Sequence, residues 1–346
     1  MLTHTPRGLA VLLLSLFMLN SAQAENHTLR LHHFLGPNSP AQAVLLEPFA
    51  QRLRDESNGQ LDVSIHPGMS LGGVPGDLYQ QLVDGEVDMI WTLAGYHPGQ
   101  FPRTEVFELP SVHFRSAYAT NRAIYANFDL IEADYADVKP LLVHVHGGNA
   151  LHLKNHSIQS AADVRNLRIH TPSRTGSWLM EAWGSRETTV PVLQIRDAFA
   201  NDQIDGALLP LEIFTALGLE SQVTETVQGS DGSRFGTAVF LLLMNKDRYE
   251  SLPANLRQVI DDQIGQDLYR SMGQAWDDLE APMFRAQRDR VNRLDVDIIY
   301  DFEALSEQVV RRWIDDMARQ GIDGETLVHE ARRYIARYSR IITTLE

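Results

Sequence analysis

The sequence predicts an α/β protein of two lobes, with strands that cross between them and one long helix that spans both. Strand-like and helical segments alternate at lengths typical of β-α-β units, which favours mostly parallel sheets. The 346 residues suffice for about two domains. The apolar run Ala238–Met244 is long enough for a buried strand that returns toward the first lobe.

The first part of the chain has a repeated strand–helix pattern. Ser39 and Pro40 predict the start of a helix, because serine caps helix N-termini and proline suits the first turn. Gly59 predicts the end of that helix. A second, shorter helix is predicted for Leu78–Val83, and the predicted strands are Leu29–Phe34, Leu61–Ile65 and Val87–Leu93.

The second part repeats this pattern and then becomes helical. Apolar segments predict three further strands, at Leu141–Val145, Leu167–Ile169 and Ala207–Leu209. Leu252 and Pro253 open a long helical region that reaches about Arg290, and Pro282 is expected to kink it. Two more helices are predicted near 302–319 and 324–342.

Residues 1–24 have the pattern of a secretory signal peptide. Arg7 gives a weakly basic start, Leu9–Leu19 is an apolar run too short to cross a bilayer, and Ala24 ends an A-x-A site. A membrane anchor is the alternative that this short length disfavours. The chain has no cysteine, so neither a lipid anchor on cysteine nor a disulfide is expected. We therefore predict a periplasmic chain that begins at residue 25.

The formal net charge of −15 restricts the partners. Nucleic acids and anionic membrane surfaces need basic patches, so neither is an expected partner. The same charge gives an anionic ligand no long-range attraction. A carboxylate ligand must therefore be bound by groups close to it.

The segment Asp163–Pro210 resembles the ligand-anchoring segment of the solute-binding proteins of tripartite ATP-independent periplasmic (TRAP) transporters. In that family a turn of the form D-L-K-G-L-K-I-R-x-P opens the segment, and a helix that ends in G-V-x-D-G closes it. The matching positions here are Asp163, Leu167, Ile169, Pro172, Asp205 and Gly206. Further matches follow in order at 47–50, 57–61, 66–72, 95–110, 244–246 and 251–253.

This dicarboxylate-receptor-like resemblance implies a two-lobed periplasmic binding protein fold with hinge strands and a long helix spanning both lobes. We assign lobe I to 25–148 plus about 236–275, and lobe II to 149–235 plus about 276–346. The resemblance also implies a function without a cofactor. The receptor would bind a small organic acid, close over it and deliver it to the small and large TRAP membrane subunits.

Two positions depart from the family pattern. The arginine that grips the ligand carboxylate is His170 here, and Leu209 stands where many relatives place an asparagine that touches the ligand. Both changes make the pocket less polar. We therefore expect an apolar or aromatic monocarboxylate, or a 2-oxo acid. The string Pro172–Thr175, P-S-R-T, resembles one subgroup of the family and supplies the next basic residue, Arg174.

Arg174 is the predicted carboxylate anchor, because an arginine fork meets both oxygens and keeps its charge. Ser173 would add a hydroxyl donor. His170 would donate one hydrogen bond as a neutral ring, or pair with the ligand when charged, and binding would then weaken above about pH 6.5. Two alternatives remain open: Arg174 pairs with Glu181 or Glu187 on the surface, or His170 is a buried core residue.

The other candidate ligand-binding residues are Phe34, Trp91, Tyr96, Asn149 and Glu212. Trp91 and Tyr96 fit a core position equally well. Glu212 could accept a hydrogen bond from a ligand hydroxyl, hold Arg174 in place, or cap the following helix.

Three other functions compete with this one. The 13 histidines raise the possibility of a metal site, but no H-E-x-x-H motif or cysteine cluster is present, so no metal is expected. A secreted hydrolase would need a nucleophile, and no G-x-S-x-G elbow occurs, so no enzyme activity is expected. An ABC-type or sensor-linked binding protein for a non-carboxylate ligand is the remaining alternative, since it has the same architecture.

Overall fold

The computed structural model describes residues 26–345, with side chains described through residue 340. The predicted signal peptide, residues 1–24, lies outside the described residues. The strands are β1 (His27–His33), β2 (Leu61–His66), β3 (Met89–Leu93), β4 (Val138–Val145), β5 (Ala150–Leu153), β6 (Arg168–His170), β7 (Arg186–Glu187), β8 (Gly206–Leu209), β9 (Glu225–Gly229), β10 (Val239–Asn245) and β11 (Val291–Leu294). The α-helices are α1 (Glu47–Glu56), α2 (Leu78–Val83), α3 (Ala117–Ala126), α4 (Phe128–Ile131), α5 (Arg174–Trp183), α6 (Ile195–Ala200), α7 (Leu211–Ala216), α8 (Lys246–Ser251), α9 (Ala254–Gln263), α10 (Gln266–Ala286), α11 (Val296–Arg319) and α12 (Gly324–Leu345).

The first sheet has the strand order β2-β1-β3-β10-β4. Strand β1 pairs in parallel with β2 and β3, whereas β10 is antiparallel to both β3 and β4. All seven residues of β10 are buried. The apolar run predicted to return to the first lobe is therefore confirmed as an inner strand of this sheet.

The second sheet has the order β11-β9-β5-β8-β6-β7. Strand β5 is antiparallel to β8 and β9, and the remaining pairs are parallel. The expectation of mostly parallel sheets is therefore confirmed, although one strand in each sheet, β10 in the first and β5 in the second, runs opposite to the others. The reason for these two exceptions is that β5 and β10 enter a sheet from the other sheet rather than through a β-α-β crossover.

The predicted long helical region is divided in two. Helix α9 ends at Gln263, and Gly265, which has an extended backbone, stands before α10. Pro282 lies inside α10 without ending it. Helix α10 packs against α3 and β4 beside the first sheet and against α7 beside the second, so it spans both lobes. Helix α11 packs on α5, and α12 packs on both α3 and α11.

The start of the first helical segment also departs from the simple prediction. The Ser39 hydroxyl accepts a hydrogen bond from the Gln42 N–H, which confirms the predicted cap. Residues Gln42–Leu46 then form a π-helical stretch before α1 begins. Leu45, Leu46 and Phe49 are buried there, so this segment closes one face of the first sheet.

Candidate functional site

Two adjoining cavities lie between the sheets. They are an apolar chamber and a polar chamber, which share the walls Asn149, Pro172 and Leu208. The apolar chamber is otherwise lined by Phe34, Leu93, Tyr96, His146, His170, Val192, Leu209, Pro210, Ile213, Ala238 and Phe240. The polar chamber is otherwise lined by Glu108, Pro110, Thr171, Ser173, Thr175, Gly176, Leu179, Phe235, Gly236 and Thr237.

A stack of aromatic rings supports one wall of the apolar chamber. The indole of Trp91 lies between Phe34 and Phe240, with ring centroids 5.2 and 4.7 Å away and interplanar angles of 7° and 6°. Tyr96 meets Phe34 edge-on at 5.3 Å. Trp91 is 1% exposed and donates from Nε1 to Nε2 of His144 at 3.1 Å. Phe34 and Tyr96 therefore border the chamber, whereas Trp91 packs against Phe34 and does not line the chamber.

The turn from β6 into α5 forms the floor of the polar chamber. Ser173 caps α5 by accepting a hydrogen bond from the Gly176 N–H at 3.2 Å. A Cβ atom at position 176 would lie 1.8 Å from Oγ1 of Thr171, so only glycine fits there. This close approach leaves Thr171, Ser173 and Thr175 on the wall of the polar chamber.

His170 ends β6 and borders the apolar chamber. Its Nδ1 lies 3.4 Å from the Val190 N–H, and the side chain is buried. Burial lowers the pKa of His170 to about 4, against the smaller opposing effects of the Thr188 backbone and Glu187. The ring is therefore neutral at neutral pH when no ligand is present, and it supplies no cation to the site.

Arg174, the predicted anchor, lines neither chamber. Its Nη2 lies 2.6 Å from Oε2 of Glu105, its Nη1 lies 2.7 Å from Oδ2 of Asp316, and its guanidinium stands 4.8 Å from the ring of Trp178. The partners are thus Glu105 and Asp316, not the alternatives Glu181 or Glu187. The anchoring role predicted from the sequence has no support from this placement.

Glu108 borders the polar chamber and forms no ion pair among the described residues. Its Oε1 accepts a hydrogen bond from the Val239 N–H at 2.9 Å, and its buried Oε2 has no partner among the described residues. Burial, partly offset by that bond, raises the pKa of Glu108 to about 8. The negative charge of Glu105 also raises it. A neutral carboxyl group therefore faces the polar chamber at neutral pH.

Asn149 stands where the chambers meet. Its backbone N–H donates to Gly236 O at 2.9 Å and its carbonyl oxygen accepts from the Phe235 N–H at 3.0 Å. These two bonds fix the backbone in the crossing between the sheets. The side-chain amide has no hydrogen bond within the part of the chain that the structure describes, so it is available at the boundary between the chambers.

Glu212 lies away from both chambers, in a buried cluster beside α10. Its Oε1 accepts from Nε1 of Trp276 at 3.1 Å, and Glu280 pairs there with Arg234 at 3.2 Å. Burial raises the pKa of Glu212, and the negative charge of Glu280 adds to that shift. Glu212 therefore has no contact with Arg174, and its bonded side-chain oxygen serves Trp276 rather than a helix cap.

Sequence reasoning missed several residues that line the chambers. Phe240 and Ala238 were recognised only as part of a buried strand, and Thr175 only as part of a motif. Glu108 stands in the run Val106–Leu109, where the residues around it are apolar and buried. A single carboxyl group inside such a run indicates a buried acid, so Glu108 could have been recognised from the sequence.

Among residues 26–340, no group of three or more His, Asp or Glu side chains is arranged to hold a metal ion. The histidines that suggested a metal site make other contacts: His144 accepts from Trp91, and His152 contacts Thr226 and the Leu209 carbonyl oxygen. In the same described part of the chain, no helix combines the length and the apolar character needed to span a bilayer.

Two sheets joined by crossing strands, a long helix that packs on both lobes, and cavities between them define a two-lobed solute-binding protein. Residues 31–298 match the family model of bacterial extracellular solute-binding protein, family 7. The chain belongs to this family, the TRAP solute-binding proteins. Members are extracytoplasmic receptors that work with membrane subunits, which separates this chain from the ABC-type alternative.

Solved structures agree with this assignment. One similar structure is a marine-metagenome TRAP solute-binding protein specific for aromatic acid ligands, in complex with 3-hydroxybenzoate. It is 34% identical, with a TM-score of 0.87, and the match covers 91% of this chain and 99% of that one. Another is a TRAP solute-binding protein from Rhodoferax ferrireducens with copurified benzoate, 31% identical, with a TM-score of 0.87 over 92% of this chain and 100% of that one.

A more distant relative is the outer membrane transporter protein TsaT of Comamonas testosteroni. It is 20% identical over 311 residues, which cover 88% of this chain and 90% of that protein. The match therefore extends over nearly the whole of both chains.

Proposed function

We propose that this protein is the receptor of a TRAP transporter for a small aromatic monocarboxylate. The ring would occupy the apolar chamber and the carboxylate would extend into the polar chamber. The observation that carries the proposal is the junction of the two chambers at Asn149 and Pro172, with ring-lined apolar walls on one side and hydroxyl groups on the other.

The apolar chamber favours a flat ring over a polar chain. Phe34 and Phe240 lie parallel to Trp91, and aromatic rings gain from such stacked and edge-on contacts. A sugar acid or a dicarboxylate would bury hydroxyl or carboxylate groups against Leu93 and Ile213. Each unsatisfied polar group would cost about 1–3 kcal/mol, and an unpaired charge would cost more.

The polar chamber offers the carboxylate neutral donors. Ser173 begins α5, and the N-terminus of a helix favours negative charge through its free N–H groups and its dipole. Asn149 adds an amide, and Thr175 adds a hydroxyl. In this proposal Phe34 and Tyr96 contact the ring and His170 borders it. Trp91 supports the wall, and Arg174 and Glu212 act from outside the contact surface.

The ligands of two relatives support this chemical class. The marine-metagenome protein is described as specific for aromatic acids, and the Rhodoferax protein carries benzoate. Both are more than 30% identical to this chain and match it over more than nine-tenths of its length. The aromatic walls of the apolar chamber are the feature of this chain that fits such ligands.

The delivery step follows from the family. We propose that the lobes are 25–148 plus about 236–275, and 149–235 plus about 276–346, and that the ligand favours their closed arrangement through its contacts with both. The closed receptor would dock on the small and large membrane subunits in the periplasm, after removal of residues 1–24. The proposed role is binding and delivery, with no catalytic residue.

A thermal-shift and calorimetric screen of residues 25–346 tests the proposal. The protein is refolded first to remove any copurified ligand, and then offered benzoate, 3-hydroxybenzoate, succinate, pyruvate and neutral benzyl alcohol. A true ligand at about 100 times its dissociation constant stabilises the fold by roughly 2.7 kcal/mol. We expect stabilisation by the two aromatic acids only. Stabilisation by succinate alone, or by no acid at all, would contradict the proposal.

A further inference from the structure

The proposed binding mode leaves the ligand carboxylate without an arginine or lysine, because none lines either chamber among the described residues. Position 170 holds a neutral histidine, and the guanidinium of Arg174 is bound to Glu105 and Asp316. A buried carboxylate without a charged or hydrogen-bonding partner is very unfavourable. A strong donor must therefore come from another residue of the polar chamber.

Glu108 has the geometry for this task. One of its oxygens accepts a hydrogen bond from the Val239 N–H at 2.9 Å, and the other is buried and has no partner among the described residues. Glu108 is also one of the residues that line the polar chamber. Glu108 is 4% exposed. A protonated carboxyl group held in this way has its O–H left over as a donor.

The charges around Glu108 favour its protonated form. Glu105 and Glu108 lie three residues apart on the 3-10 turn Thr104–Glu108, where such positions share a face. Arg174 of α5 already pairs with Glu105 and with Asp316 of α11, so its charge is shared by two carboxylates other than Glu108. From β10, the Val239 N–H donates to Glu108 and carries no net charge.

Arg332 on α12, a helix that packs beside the turn of Glu108, is also engaged elsewhere. From α12, Arg332 donates to Ser111 O at 3.1 Å and pairs with Glu307 at 2.9 Å. On the opposite wall of the chamber, Thr171 and Thr175 contribute hydroxyl groups. The charges that face Glu108 are therefore those of Glu105 and Arg174, the same two that influence the pKa of Glu108.

We infer that the carboxyl group of Glu108 donates a hydrogen bond to the ligand carboxylate, so that the two groups share one proton and the receptor binds its aromatic acid only with that proton in place. This inference rests on the proposed function. A carboxylic acid that donates to a carboxylate forms a short, charge-assisted bond, which can take the place of an arginine fork. The proposed ligand is therefore an aromatic acid whose carboxylate anion binds to the neutral carboxyl group of Glu108.

The consequence is a pH dependence of affinity with a defined sign. The free receptor loses the Glu108 proton as the pH rises past the pKa of that group, whereas the complex retains it because the ligand carboxylate stabilises the acid form. Affinity should therefore fall by roughly tenfold for each pH unit above that pKa. Benzoate stays anionic throughout, since carboxylic acids ionise near about pH 4.

The test is isothermal titration calorimetry of benzoate into residues 25–346 between about pH 6 and pH 9.5. Wild type should bind at constant affinity up to about pH 7.5 and then weaken. Near about pH 9, titrations in two buffers of different ionisation enthalpy should show close to one proton taken up per ligand. Glu108→Gln keeps a neutral donor of the same shape, so it should bind within about tenfold of wild type at pH 6 and lose the pH dependence.

Glu108→Ala removes the donor and should weaken binding by roughly 10- to 100-fold at about pH 6. Glu280→Gln is the matched control, because Glu280 is also a buried glutamate whose pKa is raised, but it borders neither chamber. Its binding should follow the wild-type profile.

The outcomes separate the two proposals. If benzoate binds wild type with constant affinity up to about pH 9.5, or if the pH dependence persists in Glu108→Gln, the role of Glu108 is overturned while the receptor function stands. If no aromatic acid binds at any pH, the proposed function itself fails. Proton uptake by wild type that disappears in Glu108→Gln establishes the inference.

Discussion

The two chambers differ in how many of their side chains already have partners when no ligand is present. The walls of the apolar chamber already satisfy one another: Phe34, Trp91 and Phe240 stack, and His170 is neutral. The polar chamber has two side-chain groups without a hydrogen-bond partner in the described part of the chain, namely one oxygen of Glu108 and the amide of Asn149. The difference suggests that the apolar chamber selects a shape, while the polar chamber distinguishes an acid from a neutral ring.

Blocking the apolar chamber should have the largest effect on binding. Ala238 borders it with a small side chain, and Ala238→Phe would place a ring in the space that the proposed ligand needs. We expect benzoate affinity to fall by at least about 100-fold, since the contacts of a buried ring are worth several kcal/mol. Titration calorimetry measures this. Ala254→Phe, at an exposed position in α9, is the control and should bind normally.

The two chambers should also respond to pH with opposite signs. The pKa of His170 falls from its ordinary 6.5 to about 4 on folding, so between these values the unfolded chain binds more protons and stability rises with pH. The pKa of Glu108 rises from 4.5 to about 8, so between these values the folded chain binds more protons and stability falls as pH rises.

Urea unfolding at about pH 5, 6.5 and 8 measures these opposing contributions. The stability of wild type relative to Glu108→Gln should decline by up to ~1.4 kcal/mol per pH unit as pH rises from 5 to 8. Relative to His170→Asn, it should instead increase between pH 5 and 6.5. Parallel profiles for all three proteins would show that the chambers do not differ in this way.

Removing one hydroxyl from the polar chamber should have a moderate effect. Thr175 contacts the Ser173 hydroxyl at 3.1 Å, and Thr175→Val keeps its shape while it removes the oxygen. We expect benzoate affinity to fall by about 3- to 10-fold, the equivalent of one neutral hydrogen bond. Thr215→Val, at an exposed site in α7, is the control for the same exchange. An unchanged affinity in Thr175→Val would mean that the carboxylate lies elsewhere.

Arg174→Gln should have the smallest effect on affinity, below about threefold, because the guanidinium borders neither chamber and its ion pairs are partly exposed. Arg312→Gln is a matched control, since Arg312 also lies over Trp178 and pairs with Glu181. Titration calorimetry with benzoate compares the two. A loss of more than about 30-fold in Arg174→Gln alone would restore Arg174 as the anchor and reverse the roles of the chambers.

The sequence predicted the fold better than the site. Periodic apolar residues reveal strands such as β1 and β10 and a helix such as α2, because burial repeats with the geometry of the element. Short strands such as β7 and β11 have too few residues for any period to appear. The break at Gly265 depends on packing of α9 and α10 against different neighbours, which local sequence does not specify.

At the site, the sequence predicted which segments converge but not which way their side chains point. Phe34, Tyr96, Ser173 and Asn149 do border the chambers, because the turn after β6 and the ends of β1 and β3 meet there. Arg174 was expected to turn inward. Its guanidinium instead pairs with Glu105 and Asp316, which are far away in the sequence. Such long-range competition for a cation leaves no trace in the local motif.

The contact between Gly95 and the start of α5 bears on how long a solute stays bound. A side chain at Gly95 would lie 2.9 Å from Cβ of Ser173 and 3.2 Å from the Pro172 carbonyl oxygen, so the turn after β3 rests directly on the start of α5. In the proposed closing motion the two backbones meet here, and a bound solute would leave as they separate. Its residence time is then governed by the frequency of that separation, and a methyl group at position 95 would shorten the residence time by holding the backbones apart.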